Sequence, residues 1–96
     1  MTIQEKTKID RKLQRNDELI VASVDDELVM LSVEKGQYFG VSGVGIRIWE
    51  LLESPRSELN IIEIILNEFQ VDEVTCRRDV GDFLDQMLEL ELVTSE

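Results

Sequence analysis

The side chains that could carry chemistry in this 96-residue chain are mainly carboxylates, because 21 residues are Asp or Glu and none is His. The one cysteine, Cys76, has no histidine to activate its thiol, so we interpret it as a small apolar residue on a helix. The absence of histidine also removes the commonest general base and zinc ligand. The C-terminal carboxylates mostly fall on the solvated face of a predicted helix, at Asp72, Asp79, Asp82, Asp85 and Glu89. We therefore predict no enzyme activity, metal site or cofactor.

Three glycines, Gly40, Gly43 and Gly45, lie where a predicted strand leads into a predicted helix. Phosphate-binding loops occupy such junctions, but no lysine or arginine stands among these glycines to hold a phosphate. No EF-hand, Walker loop or dinucleotide-binding glycine pattern is present either. Nucleotide binding is rejected.

Charge is unevenly distributed along the chain. Residues 1–15 hold five of the ten basic residues and two acidic ones, which gives a net charge of +3, whereas residues 16–96 carry −14. We interpret residues 1–16 as a flexible basic arm and 17–96 as the folded domain. The acidic domain disfavours DNA, whose affinity depends on cationic contacts. No secretion signal or apolar run of roughly 20 residues is seen, so we expect a cytoplasmic protein.

The elements that must position any site follow from periodicity. Two β-branched runs, 19–24 and 28–33, flank a turn at Asp25-Asp26, and Gly36 returns the chain into a third strand at 37–41. Helical spacing follows: Ser42 is expected to cap a helix that stops before Pro55, Ser57 to cap a second, and Asp72 to cap a third over about 73–90. The predicted fold class is α+β, in the order β-β-β-α-α-α with a three-stranded antiparallel sheet.

Two features could form a binding surface. The third helix has an apolar arc of roughly half its circumference, in which Leu84 and Leu88 extend past the core stripe, either to pack on the other helices or to leave one edge uncovered. The third strand is predicted to be a free sheet edge, which can accept a partner strand. There Tyr38 is either a half-exposed sheet residue or a contact, and Gly40 either serves internal packing or admits another chain. Together they suggest strand addition beside a hydrophobic helix edge.

The chain resembles a known family in the run from Asp26 to Leu52. Its most specific part is the Gly-x-Tyr-Phe-Gly strand at 36–40, followed by Gly-x-x-Ile-Trp-x-Leu-Leu at 45–52. This string is similar to PqqD-like proteins, the recognition elements of ribosomally made, post-translationally modified peptides, and most similar to stand-alone members from lasso-peptide clusters. The similarity covers about residues 18–93.

The resemblance implies a winged helix-turn-helix fold that binds the leader segment of a precursor peptide. The leader would add as a strand to the third strand and pack on the third helix, presenting an aromatic residue, a proline and a leucine. The implied peptide-binding residues are Gln37, Tyr38, Phe39, Gly40 and Val41 on the strand, and Arg77, Val80, Gly81, Leu84 and Leu88 on the helix. The implied partners are a leader peptidase and a macrolactam synthetase, or in other clusters a radical-SAM enzyme. An exposed edge could also pair two copies into a homodimer or permit domain swapping.

Two departures from the family pattern stand out. Val41-Ser42 replaces a frequent Leu-Asn, and Glu91 replaces a frequent glycine near the end of the third helix. Three other functions compete with leader recognition. These are a winged-helix DNA-binding regulator, an acyl carrier protein, which would need an Asp-Ser-Leu attachment site absent here, and a module that mainly binds an enzyme.

Overall fold

The computed structural model describes residues 10–95. Its first sheet is an antiparallel meander of β2 (Ile20–Val24), β3 (Glu27–Ser32) and β4 (Gln37–Ser42), in the order β2-β3-β4, preceded in the chain by β1 (Lys12–Arg15). The register pairs Val21 with Met30 and Met30 with Phe39. The predicted three strands are confirmed, with turns at the expected places.

Three helices follow: α1 (Val44–Leu51), then α2 (Glu58–Glu68) after the two-residue β5 (Arg56–Ser57), then α3 (Glu73–Glu89). The predicted caps of the second and third helices are confirmed, because Ser57 accepts from the Asn60 N–H and Asp72 from the Thr75 N–H. The predicted cap of α1 is wrong. Gly43, not Ser42, occupies that position with φ 60° and ψ −136°, a conformation open essentially to glycine alone.

A second sheet was not predicted. It pairs β1 in the centre with β5 on one side and with the C-terminal β6 (Val93–Ser95) on the other, in antiparallel fashion. The flexible arm expected over 1–16 is therefore wrong for residues 12–15, and residues 1–9 lie outside the described part of the chain. Leu13 is fully buried and anchors β1. A four-residue strand with one apolar side chain has too little periodicity to be recognised in a charged segment.

The core lies between the inner face of the first sheet, the helices and the second sheet. Its fully buried members come from all of these layers: Leu13, Met30, Leu52, Ile61, Ile62, Ile65, Leu84 and Val93. The fold is the predicted α+β winged-helix arrangement with one additional small sheet. No helix within residues 10–95 is both long and apolar enough to cross a bilayer.

Candidate functional site

An open cleft runs between the free edge of β4 and the C-terminal half of α3. It has a volume of about 320 Å³, and β4 has no strand partner on this side in the described structure. Most of its lining residues are apolar, with Gln86 as the polar side chain from the helix, and polar and apolar atoms share the lining surface about equally. The lining residues are Tyr38, Phe39, Gly40, Val41, Phe83, Gln86, Met87, Leu90 and Leu92. A cleft that combines an unpaired strand edge with an apolar helical wall can bind an extended peptide.

The strand residues predicted to bind the peptide lie at this cleft, with one exception. Tyr38, Phe39, Gly40 and Val41 line it, whereas Gln37 begins β4 and is exposed outside the lining. Their side chains alternate: Val41 faces the core, and Tyr38 is 76 % exposed on the opposite face. The cleft can therefore use β4 mainly through its backbone edge.

The space beside Gly40 is already occupied by this chain. A Cβ at Gly40 would clash with Oε1 of Glu27, whose side chain extends across the glycine from β3. Gly40 therefore makes an internal contact with Glu27, and it also lines the cleft.

The α3 residues that line the cleft differ from those predicted to bind the peptide. At about 100° per residue, Phe83, Gln86 and Leu90 form one flank of α3, here called the open flank, and this flank faces β4. None of the five α3 residues predicted to bind the peptide is among the lining residues: Arg77, Val80, Gly81, Leu84 and Leu88.

Four of these five residues belong to the opposite side of α3, here called the covered flank. Leu84 is 0 % exposed and Gly81 is buried, whereas Leu88 is half-buried and Arg77 is exposed with its guanidinium on Glu73. Arg11 closes this side, because its Nη2 lies 2.8 Å from Asp85 Oδ1 on α3 and 3.0 Å from Glu58 Oε1 on α2. Leu84 therefore belongs to the core, which was the other explanation for the wide apolar arc.

Val80, the fifth predicted residue, lines a separate recess near the N-terminal half of α3. The recess has a volume of about 120 Å³ and joins all three helices through Val44, Ile65, Val71, Thr75, Cys76, Asp79 and Val80. Burial raises the pKa of the Cys76 thiol, so the sulfur stays protonated and unreactive at neutral pH. The interpretation of Cys76 as an apolar helix residue is confirmed by its 4 % exposure.

Phe83 lines the cleft, although it is not among the residues predicted to bind the peptide. A Cβ on Gly45 would lie 3.0 Å from Phe83 Cε1 and 2.8 Å from Val41 Cγ1, so α1, β4 and α3 meet tightly at this glycine. This contact explains physically why the Gly-x-x-Ile-Trp motif begins with glycine. The motif indicates a close approach at Gly45, but it does not identify Phe83 as the side chain that approaches.

The end of α3 is held by a turn at Glu91. Glu91 has φ 59°, its N–H donates to Leu88 O, and the N–H of Leu92 donates to Met87 O, which together form a Schellman motif. This left-handed residue stands where the resembling family often has glycine. Glu91 also forms a 2.9 Å ion pair with Lys35 in the turn between β3 and β4, so it links the two walls of the cleft.

A family model supports what the geometry indicates. The model for coenzyme PQQ synthesis protein D (PqqD) matches residues 27–93, more than two thirds of the chain. The chain belongs to the PqqD family. The matched range includes β4 and α3, the two elements that build the cleft in this PqqD-family chain.

Two solved structures are similar to this PqqD-family chain. One is TbiB1 in complex with the TbiA(beta) leader peptide, at 40 % identity and a TM-score of 0.74, covering 83 % of this chain and 93 % of that one. The other is lasso peptide synthetase B1 complexed with the leader peptide, which shares the fold at 20 % identity and a TM-score of 0.74, covering 84 % and 95 %. A comparison with curated proteins gives no significant match.

Proposed function

We propose that this chain binds the leader segment of a ribosomally made precursor peptide and delivers it to the enzymes of lasso-peptide maturation. The observation that carries the proposal is the open cleft between β4 and α3, in a fold whose 40 % identical neighbour, TbiB1, was solved with a leader peptide. The chain acts by binding and contributes no catalytic residue. We place it in the cytoplasm, where its lone cysteine stays reduced.

Binding occurs by strand addition at β4. The backbone of residues 37–41 offers hydrogen-bonding groups along a free edge, and an added strand satisfies them without requiring a particular sequence. Alternate side chains of the added strand point into the cleft, where they meet Phe83, Leu90 and the aliphatic part of Gln86. Specificity comes from these side chains, since the walls favour aromatic and aliphatic groups.

The separate recess at Val80 receives a further side chain of the leader. A leader that runs along β4 and continues past Gly43 reaches the N-terminal half of α3, where Val44, Thr75 and Val80 border the recess. Its size suits one aliphatic side chain. Val80 is thus the one predicted helix residue that we retain in the binding site.

The partners are a leader peptidase and a macrolactam synthetase that act on the bound precursor. A second candidate, which the family resemblance implies, is delivery of a peptide to a radical-SAM enzyme, with the same cleft and a different precursor. The two differ in which precursor binds and which enzyme processes it, so assays with both enzyme classes separate them.

The test is fluorescence anisotropy of a labelled leader peptide, taken from the precursor gene beside this one and titrated with purified protein. We expect saturable binding with a Kd on the order of 1 μM or lower, since strand addition combines backbone hydrogen bonds with side-chain pockets. A scrambled leader of the same composition should not bind, because the cleft reads the order of side chains. Equal binding of the scrambled peptide would contradict the proposal.

A further inference from the structure

The first sheet has a second surface, here called the outer face, on the side opposite the core. The register brings Ile20, Leu31 and Tyr38 into one row across the three strands, and Ala22, Val29 and Gly40 into the next. Val24, Glu27 and Ser42 form the third row at the end of the sheet that carries the β2–β3 turn. Strand alternation puts all of these residues on the side away from Met30 and Val41.

The outer face is apolar and exposed. Ile20 is 57 % exposed, Val24 52 % and Leu31 36 %, whereas Met30 on the inner face is 0 % exposed. Among residues 10–95, the helices pack with the inner face, whose Met30 and Val41 join the core cluster. A contiguous exposed apolar patch on a small domain is typical of an interaction site.

The end of the outer face at the β2–β3 turn is acidic. Asp25, Asp26 and Glu27 cluster there, and within the described part of the chain none of the three forms an ion pair. With Val24 and Val29 they line a shallow hollow of about 370 Å³. An apolar floor with a carboxylate rim fits a Lys or Arg side chain, whose aliphatic stem lies on the valines while its cationic head meets the carboxylates.

We propose that the outer face binds a second protein whose contact surface is apolar with a basic rim, and that this protein is one of the enzymes receiving the leader. The inference rests on the proposed function for the identity of the partner. Charge complementarity selects the occupant. A second copy would bring together two chains that each carry a net charge of −11, and their repulsion opposes such pairing. A basic partner surface is instead attracted by the negative charge of this chain.

The test measures the affinity of purified leader peptidase and macrolactam synthetase for the leader-loaded protein by biolayer interferometry. In the double variant I20K/V24K, two lysines replace apolar contacts and meet the basic rim. We expect it to weaken binding of one enzyme roughly tenfold or more. The matched control is V74K, which adds a lysine at a valine that is 74 % exposed on α3, away from the outer face, and should bind as wild type.

A second pair of variants tests the charge. D26N/E27Q removes two carboxylates with little change of shape, so it should lower the enzyme affinity about threefold or more and flatten its dependence on salt. E63Q, at an exposed glutamate on α2, is the control and should change neither.

Leader affinity, measured by anisotropy on every variant, separates the two proposals. Unchanged leader binding with lost enzyme binding supports the outer face as the docking surface. Wild-type enzyme affinity in I20K/V24K, or no enzyme binding by the wild-type protein, overturns it and leaves leader recognition intact. A wild-type dimer that I20K/V24K dissociates, seen by light scattering, would overturn it in favour of a second copy. A wild-type protein that fails to bind leader would instead contradict the proposed function.

Discussion

The two flanks of α3 have similar apolar character and different surroundings. On the open flank, Phe83 and Leu90 are half-buried and face the free edge of β4 across the cleft. On the covered flank, Leu84 has no exposed surface, and Arg11 bridges Asp85 to Glu58 on α2. The difference arises from what packs against each side, because both flanks belong to one continuous helix.

The width of an apolar arc on a helix does not determine what contacts each part of it. A wide arc on an amphipathic helix indicates that more than one partner contacts it, but not which partner belongs to the same chain. Here the chain itself covers the flank of Leu84, through α2 and the segment that leads into β1. The flank left for a ligand is the one beside an unpaired strand edge.

The largest expected effect comes from a substitution in the covered flank. Leu84→Asp places a carboxylate in the core without a partner and should destabilise the fold by more than about 4 kcal/mol, enough to unfold a domain of this size. Circular dichroism should show lost helical content and no thermal transition. Val74→Asp, in the first turn of α3 and 74 % exposed, is the control and should stay folded. A folded Leu84→Asp protein that no longer binds leader would assign Leu84 to the binding wall after all.

A smaller effect is expected on the open flank. Gln86 is exposed and lines the cleft, so Gln86→Trp should fill part of it and weaken leader binding roughly tenfold, about 1.4 kcal/mol, without unfolding the protein. Gln14→Trp makes the same substitution at an exposed position of β1 and should leave leader affinity unchanged. Anisotropy titrations of both variants provide the measurement. An unaffected Gln86→Trp would mean that the leader does not enter this cleft.

The sequence sufficed for the first sheet and the three helices because each has a periodic apolar pattern or a capping residue. Ser57 and Asp72 cap their helices as predicted, and four of the strand residues that the family resemblance implied, Tyr38 to Val41, line the cleft. The second sheet could not be predicted in this way, since β1 and β6 are three or four residues long and pair across most of the chain.

The choice between the two flanks of α3 depended on that unpredicted segment. Arg11, just before β1, helps to cover the side of Leu84. No local sequence pattern predicts its contact with Asp85, which lies 74 residues away in the chain. Likewise Gly45 marks a close approach, but only the folded chain identifies Phe83 as the side chain that it admits. Local patterns therefore predicted the elements, whereas long-range contacts decided which faces remain free.

The ion pairs near the two flanks differ in their exposure to solvent. The smallest predicted effect concerns the more exposed pair. On the covered flank, Arg11 meets Glu58, whose side chain is only 7 % exposed. At the end of α3, beside the open flank, Lys35 and Glu91 pair with side chains 37 % and 67 % exposed, where solvent screens the attraction and an ion pair contributes at most about 0.5–1 kcal/mol. Glu91 also holds a left-handed conformation that glycine adopts without steric cost.

Glu91→Gly should therefore stabilise the protein by a few tenths of a kcal/mol, up to about 1, as relief of the left-handed conformation exceeds the loss of an exposed ion pair. Lys35→Met removes the same ion pair and keeps Glu91, so it isolates the electrostatic part and should cost less than about 0.5 kcal/mol. Urea denaturation of both variants gives the two free energies of unfolding. If Glu91→Gly were less stable than Lys35→Met, the side chain of Glu91 would stabilise the end of α3 through more than its charge, and the open flank would be tied to β4 more firmly than its exposure indicates.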